Sequence, residues 1–165
     1  MAFKKELLAI SLCGVVLTAG LASSAFALET KPVLSIEAAE RMGVACHEYA
    51  TSKGWKMNIA VLDDGGGLLY FRRQPGAYRG SVDISINKAW TATQFGAPTR
   101  FFGEKVVPEL APGIQYMPRL IIFPGGLPIK VGDALVGGIG VSGASGDQDE
   151  ECAQFGLDAA KDLLK

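Results

Sequence analysis

The sequence predicts an α+β fold: a single domain with a mainly antiparallel sheet of about five strands, flanked by helices and preceded by an export signal. Three observations carry this. Apolar periodicity runs in the order helix, two strands, helices, three strands, helix. Short Gly- and Pro-containing turns join neighbouring strand segments, leaving no room for the crossover a parallel pair requires. The chain beyond the signal, residues 28–165, has the size of one compact domain. A doubly wound nucleotide fold does not fit this order.

Residues 1–27 read as a signal peptide. Lys4 and Lys5 form its basic end, Leu7 to Leu21 its apolar run, and Ala25-Phe26-Ala27 its small-x-small cleavage site. Ser11, Thr18 and Gly20 interrupt the run, which is shorter than the ~20 residues of a spanning helix. Cys13 lies too far from the cleavage position for a lipoprotein. The expectation is a periplasmic or secreted protein with no membrane anchor after cleavage.

Ser35 to Lys53 predicts a helix capped by Ser35 and ended by Gly54, with Ile36, Ala39, Met42, Gly43, Cys46 and Ala50 on one face. Met57–Leu62 and Leu68–Arg72 read as strands joined by a hairpin turn over Asp63 to Gly67. Ser81–Phe95 is helical, with Val82, Ile86, Ala89, Trp90 and Thr93 inward. Thr99–Val107 forms a short helix stopped by Pro108, and Pro112–Met117 a loop. Leu120–Phe123, Leu127–Val131 and Leu135–Ser142 predict three strands. A last helix, Asp147–Leu164, is capped by Asp147 with Glu150 closing a capping box. Its buried stripe reads Cys152, Phe155, Gly156, Ala159, Ala160 and Leu163.

The chain carries 16 basic and 17 acidic residues, a net charge of −1. It has no basic stripe, which argues against nucleic acid as a partner. A hydrophobic content of 48% and a mean hydropathy of +0.23 predict a homo-oligomer that buries part of its surface between subunits. No nucleophile elbow, zincin motif or phosphate loop is present, and His47 is the single histidine, so no catalytic constellation is complete.

Six motifs follow one another through the chain. They are Asn58 to Arg73 (NIAVLDDGGGLLYFRR), Lys88 to Ala92 (KAWTA), Ala97 to Thr99 (APT), Phe123 to Ile129 (FPGGLPI), Gly137 to Gly143 (GGIGVSG) and Asp149 to Ala153 (DxxCA). In this order they resemble the GlcG/HbpS-like family of small haem-binding-protein-like domains, a relative of which forms the C-terminal part of some corrinoid adenosyltransferases. The resemblance covers nearly all of residues 28–165. It implies an oligomer of antiparallel sheets flanked by helices, and an exported protein that binds haem, a related tetrapyrrole or another small ligand. Two alternatives stand beside that reading. One is a non-catalytic accessory subunit of an exported redox enzyme. The other is a small-carboxylate enzyme using Lys88 as base or Schiff-base nucleophile.

Haem requires an apolar slot, an axial donor and cations near its propionates. His47, at the edge of the first helix's buried stripe, reads as a boundary histidine, with metal ligation as the alternative. Thr99 lies in the element that resembles the family region where a threonine has been proposed to approach the iron. The alternative is an ordinary helix N-cap. Tyr116 and Met117 are better donors chemically, with packing as their alternative role. Lys88 shares a semi-apolar face with Ile84, Thr91 and Phe95. It reads either as an anion contact, aided by Arg73 or Arg100, or as half of a structural ion pair with an acid such as Asp63 or Asp83. Asp147, Asp149, Glu150 and Glu151 read as dipole-favoured acids of a first helical turn. In the resembling family the first and last helices lie side by side. That makes Cys46 and Cys152 a disulfide candidate, with two buried free thiols as the alternative.

Overall fold

In a computed structural model describing residues 30–165, the sheet has four strands where the sequence suggested five. They are β1 (Asn58–Asp63), β2 (Leu68–Arg73), β3 (Gly126–Val131) and β4 (Ala134–Ser142), all antiparallel in the order β2-β1-β4-β3. The segment read as a signal peptide lies outside the described residues. Among the described residues, no helix is long and apolar enough to cross a membrane.

Leu120–Phe123 is not a strand, and the reason lies in where its backbone bonds go. Ile121 N–H donates to Thr91 Oγ1 (3.0 Å), and Phe123 O accepts from Thr99 Oγ1 (2.7 Å). Side chains of neighbouring helices satisfy this segment, so it has no ladder to join. Pro118 and Pro124 bracket it, and Arg119 adopts φ 69°.

Helix α1 (Ile36–Ser52) starts at Ser35, whose hydroxyl accepts from Ala38 N–H, and is followed by Gly54 at φ 73°. It lies beside α4 (Gly146–Ala159) on one face of the sheet, over a core that includes Met42, Ile59, Val61, Ile139 and Val141. Helix α2 (Ser81–Phe95) covers the other face through Ala60, Leu62 and Ala89. The α2 contact is set by glycine. A Cβ on Gly140 would lie 2.0 Å from Ser85 O, and one on Gly138 would lie 2.6 Å from Ala89 O. The helix backbone therefore rests almost directly on β4. This corrects the expected inner face. Ser85, Lys88, Thr91 and Ala92 are buried along with Ala89 and Thr93, while the bulkier Val82, Ile86 and Trp90 sit half-buried at the flanks.

Three helix limits also differ from expectation. Helix α3 begins at Thr99–Phe101 and continues through Phe102–Leu110 with π-type bonding, enclosing Pro108 rather than stopping before it. A proline ring would clash with a carbonyl four residues back in an α-turn, and the wider i→i−5 winding accommodates it. Residues Ile114–Tyr116, in the expected loop, form a single 3₁₀ turn. Helix α4 is capped by Ser145, with Gln148 completing the capping box, so Asp147 falls inside the first turn. It ends at Ala159, followed by a 3₁₀ turn, Lys161–Leu163. Phe155 leaves the buried stripe to stack on Tyr49, with ring centroids 4.3 Å apart. Asp149 and Ala153 join Cys152, Gly156 and Ala160 in the buried stripe.

Gly156 brings α4 close to α1, since a Cβ there would lie 2.6 Å from Met42 O. One turn earlier, Cys46 and Cys152 are joined by a disulfide with a Cα–Cα distance of 5.0 Å, both fully buried. The bond spans 106 residues, a long loop whose closure restricts the unfolded chain strongly. Alkylation of the denatured protein without reductant is expected to leave Cys46 and Cys152 unmodified, as read by peptide mass. The Cys46→Ala/Cys152→Ala variant is expected to lose about 2–4 kcal/mol in chemical denaturation.

Candidate functional site

Lys88 is a long cation on a helix face made of small residues, so its stem must run inward and its charge must find a partner. The partner is Asp149 of α4, not Asp63 or Asp83. Lys88 Nζ donates to Asp149 Oδ2 at 2.8 Å and to Val141 O at 2.9 Å, and the two side chains are only 2% and 3% exposed. Asp149 Oδ1 accepts from Ala144 N–H at 3.0 Å. Burial pushes the Lys88 ammonium down and the Asp149 carboxyl up, and in each case the partner's charge and hydrogen bond oppose that push. The loop that covers the pair has to be glycine. A Cβ on Gly125, at φ 120°, would lie 2.7 Å from Asp149 Cβ and 2.8 Å from Lys88 Nζ.

A cavity of about 260 Å³ opens above this pair. Lys88, Ser142 and Asp149 form its polar wall, Ile84, Phe123 and Pro124 its apolar wall, and Ala144 and Gly146 the turn into α4. A second cavity, of about 440 Å³, lies on the other side of the same helical turn. Ala97, Pro98 and Phe101 give it an apolar side, and Arg100, Glu104, Lys105 and Glu150 a charged one. Arg100 there meets three carboxylates: Asp147 at 2.5 Å, Glu150 at 3.0 Å and Glu104 at 3.0 Å. These hydrogen bonds, that of Asp147 foremost, raise its pKa further. Glu150 Oε2 is buried without a hydrogen-bond partner among the described residues.

The remaining candidates are dispersed. Thr99 is the first residue of α3, not its cap, since Pro98 occupies that position. Its buried hydroxyl donates to Phe123 O (2.7 Å) and accepts from Gly126 N–H (2.9 Å), tying α3 to the start of β3. Tyr116, 84% exposed, and Met117 lie on the surface at the 3₁₀ turn. Arg73 is exposed at the end of the edge strand β2. His47 sits on α1, where Gln74 Nε2 lies 2.9 Å from His47 Nδ1 and also 3.0 Å from Thr51 Oγ1. No group of three or more metal-ligating side chains forms among the described residues. Sequence reasoning missed Asp149 and Ser142 as site residues. Asp149 had a usable signal, because it precedes Cys152 by three positions and so shares that helix's buried stripe.

Two outcomes follow from these contacts. Lys88→Met leaves Asp149 buried without its cation and is expected to cost about 3–5 kcal/mol, whereas Lys88→Met/Asp149→Leu recovers most of it in thermal melts. At His47, burial first and Arg72 second hold the imidazole below its ordinary 6.5, against a weaker upward pull from Glu48. The folded chain thus binds this proton less well than the unfolded chain. The site's contribution to stability is present above 6.5 and lost as pH falls through the depressed native value. Denaturation midpoints should fall between about pH 7 and pH 5, with a shallower slope in His47→Gln.

A family model described as "Haem degrading protein HbpS-like" matches residues 34–158. Protein GlcG of Escherichia coli strain K12 is 34% identical over 115 residues, covering 70% of this chain and 85% of that protein. The crystal structure of HbpS superposes with a TM-score of 0.75 at 34% identity, over 80% of this chain and 93% of the other. The crystal structure of a PduOC:heme complex gives 0.73 at 27% identity, over 78% and 95%. The chain belongs to the HbpS-like family, together with GlcG.

Proposed function

We propose that this protein is exported and binds haem or a related tetrapyrrole as a homo-oligomer. The observation that carries the reading is the larger cavity, about 440 Å³, seen in a chain so similar to a domain crystallised with haem. Its wall of Ala97, Pro98 and Phe101 suits a macrocycle face, and Lys105, which pairs with Glu109 at 3.2 Å, would turn its cation to a propionate. Glu150 lines the same wall, its Oε1 held by Arg100 Nε at 3.0 Å. The Thr99 hydroxyl is spent on backbone partners, which argues against its use as an iron ligand. When bound, the group would supply iron redox and ligand chemistry, and the chain's own residues would hold and orient it.

Oligomerisation is supported by the apolar side chains left uncovered on the surface, among them Phe95, Phe101 and Phe123. Export is supported by the Cys46–Cys152 bond, a kind of link that persists in oxidising compartments.

Titration of the protein with hemin is expected to give a saturable Soret shift, lost in Phe101→Glu and retained in His47→Ala. Light scattering on the same sample is expected to exceed the monomer mass. A linear, non-saturating absorbance change would leave the accessory-subunit and small-carboxylate-enzyme readings in its place.

A further inference from the structure

We propose that the smaller cavity, over the Lys88–Asp149 pair, is a separate binding site for a small carboxylate with a short alkyl tail. At about 260 Å³ it lies below the ~300–1,000 Å³ typical of pockets for drug-sized ligands. It therefore suits a molecule of a few carbons and not a macrocycle. Its wall is rich in hydrogen-bond donors. An ammonium has three N–H donors, and Lys88 uses one on Val141 O and one on Asp149 Oδ2. Ser142 lines the cavity, is 6% exposed, and its hydroxyl brings one O–H donor to the wall. Gly146, also in the wall, is the first residue of α4. The capping box satisfies Gln148 N–H and Ser145 N–H, which leaves the Gly146 amide at the positive end of the helix without an intrahelical acceptor.

The acceptors of the same wall already have partners. Asp149 receives Ala144 N–H on one oxygen and Lys88 on the other, and Val141 O receives Lys88. What remains is an excess of donors around an ion pair of no net charge. Such a wall recognises an acceptor-only group, and a carboxylate matches it better than an amide, which brings donors of its own. Glu150 lies in the other cavity, where Arg100 binds it. Ile84, Phe123 and Pro124 face the polar wall and would cover an alkyl tail.

The test is isothermal titration of the full exported chain with acetate, propionate and butyrate, and with propionamide as the uncharged counterpart. Saturable heat with at least one acid is expected, with propionamide roughly tenfold weaker or undetectable. Ser142→Ala, which leaves the ion pair in place, is expected to weaken acid binding roughly tenfold with an unchanged melting temperature. Ile84→Trp, filling the cavity from its rim, is expected to abolish it. Hemin uptake, measured in parallel, should be unchanged in Ser142→Ala, so the two sites succeed or fail separately. Three results would overturn the proposal: no saturable heat with any of the three acids, equal affinity for propionamide, or acid binding that survives both substitutions.

Discussion

The structure is organised around one buried charge pair. Taking an ammonium and a carboxylate out of water costs several kcal/mol per ion, and only close geometry and extra hydrogen bonds offset it. Lys88 and Asp149 meet that condition through Val141 O and Ala144 N–H, so the chain around them has little freedom. Lys88 belongs to the helix on one face of the sheet and Asp149 to a helix on the other, and their bond passes the end where β4 stops and β3 starts. Gly125 and Gly126 follow from this. A side chain on Gly125 would strike the pair itself, and one on Gly126 would lie 2.5 Å from Lys88 O. The Pro-Gly-Gly segment thus acts as the lid of an ion pair rather than as a plain strand connection.

A second constraint acts along β4. Because Gly138 and Gly140 let α2 settle onto the sheet, the helix face above them can hold only small groups, and Ser85, Ala89 and Ala92 occupy it. The larger apolar residues of α2 and α3 are displaced toward the margins, which is why Ile84, Phe95 and Phe101 reach the surface. Ser142 continues the alternation of Gly138 and Gly140 on the same face of β4, but lies beyond the close contact. The space left there is the smaller cavity. Its position is a by-product of how tightly the helix packs just before it.

Much of this was legible from local chemistry. The Ser35 cap, the limits of α2 and the Asp63–Gly67 hairpin depend on residues close in sequence. In the hairpin, Gly67 N–H donates to Asp63 Oδ1 at 2.7 Å and Gly66 takes φ 83°. The failures share a different cause. Leu120–Phe123 has strand-like composition, but its backbone groups were claimed by Thr91 and Thr99, some 30 and 24 positions away. Asp147 is a good cap residue that lost to Ser145, because Gln148 stands at the spacing that completes the reciprocal box. The setting of Lys88 in the sequence calls for an acid, but its partner lies 61 positions distant on a helix across the sheet. Such pairings are set by tertiary contact, and no local pattern encodes them.

The two faces of the molecule divide the work. On the α1–α4 side, packing is apolar and covalent, and the polar groups that occur there, such as His47, Gln74 and Thr51, satisfy one another. The chemistry gathers instead at the first turn of α4. Successive residues on a helix diverge by about 100°, so Asp149 faces one cavity and Glu150 the other. Each carboxylate is held by a cation, Asp149 by Lys88 and Glu150 by an Arg100 shared with Asp147 and Glu104. A site built on a helix is only as well placed as the helix itself. Cys152, one turn beyond Asp149, fastens α4 to α1 by its disulfide, so the apolar face fixes the position of the turn from which both cavities are built.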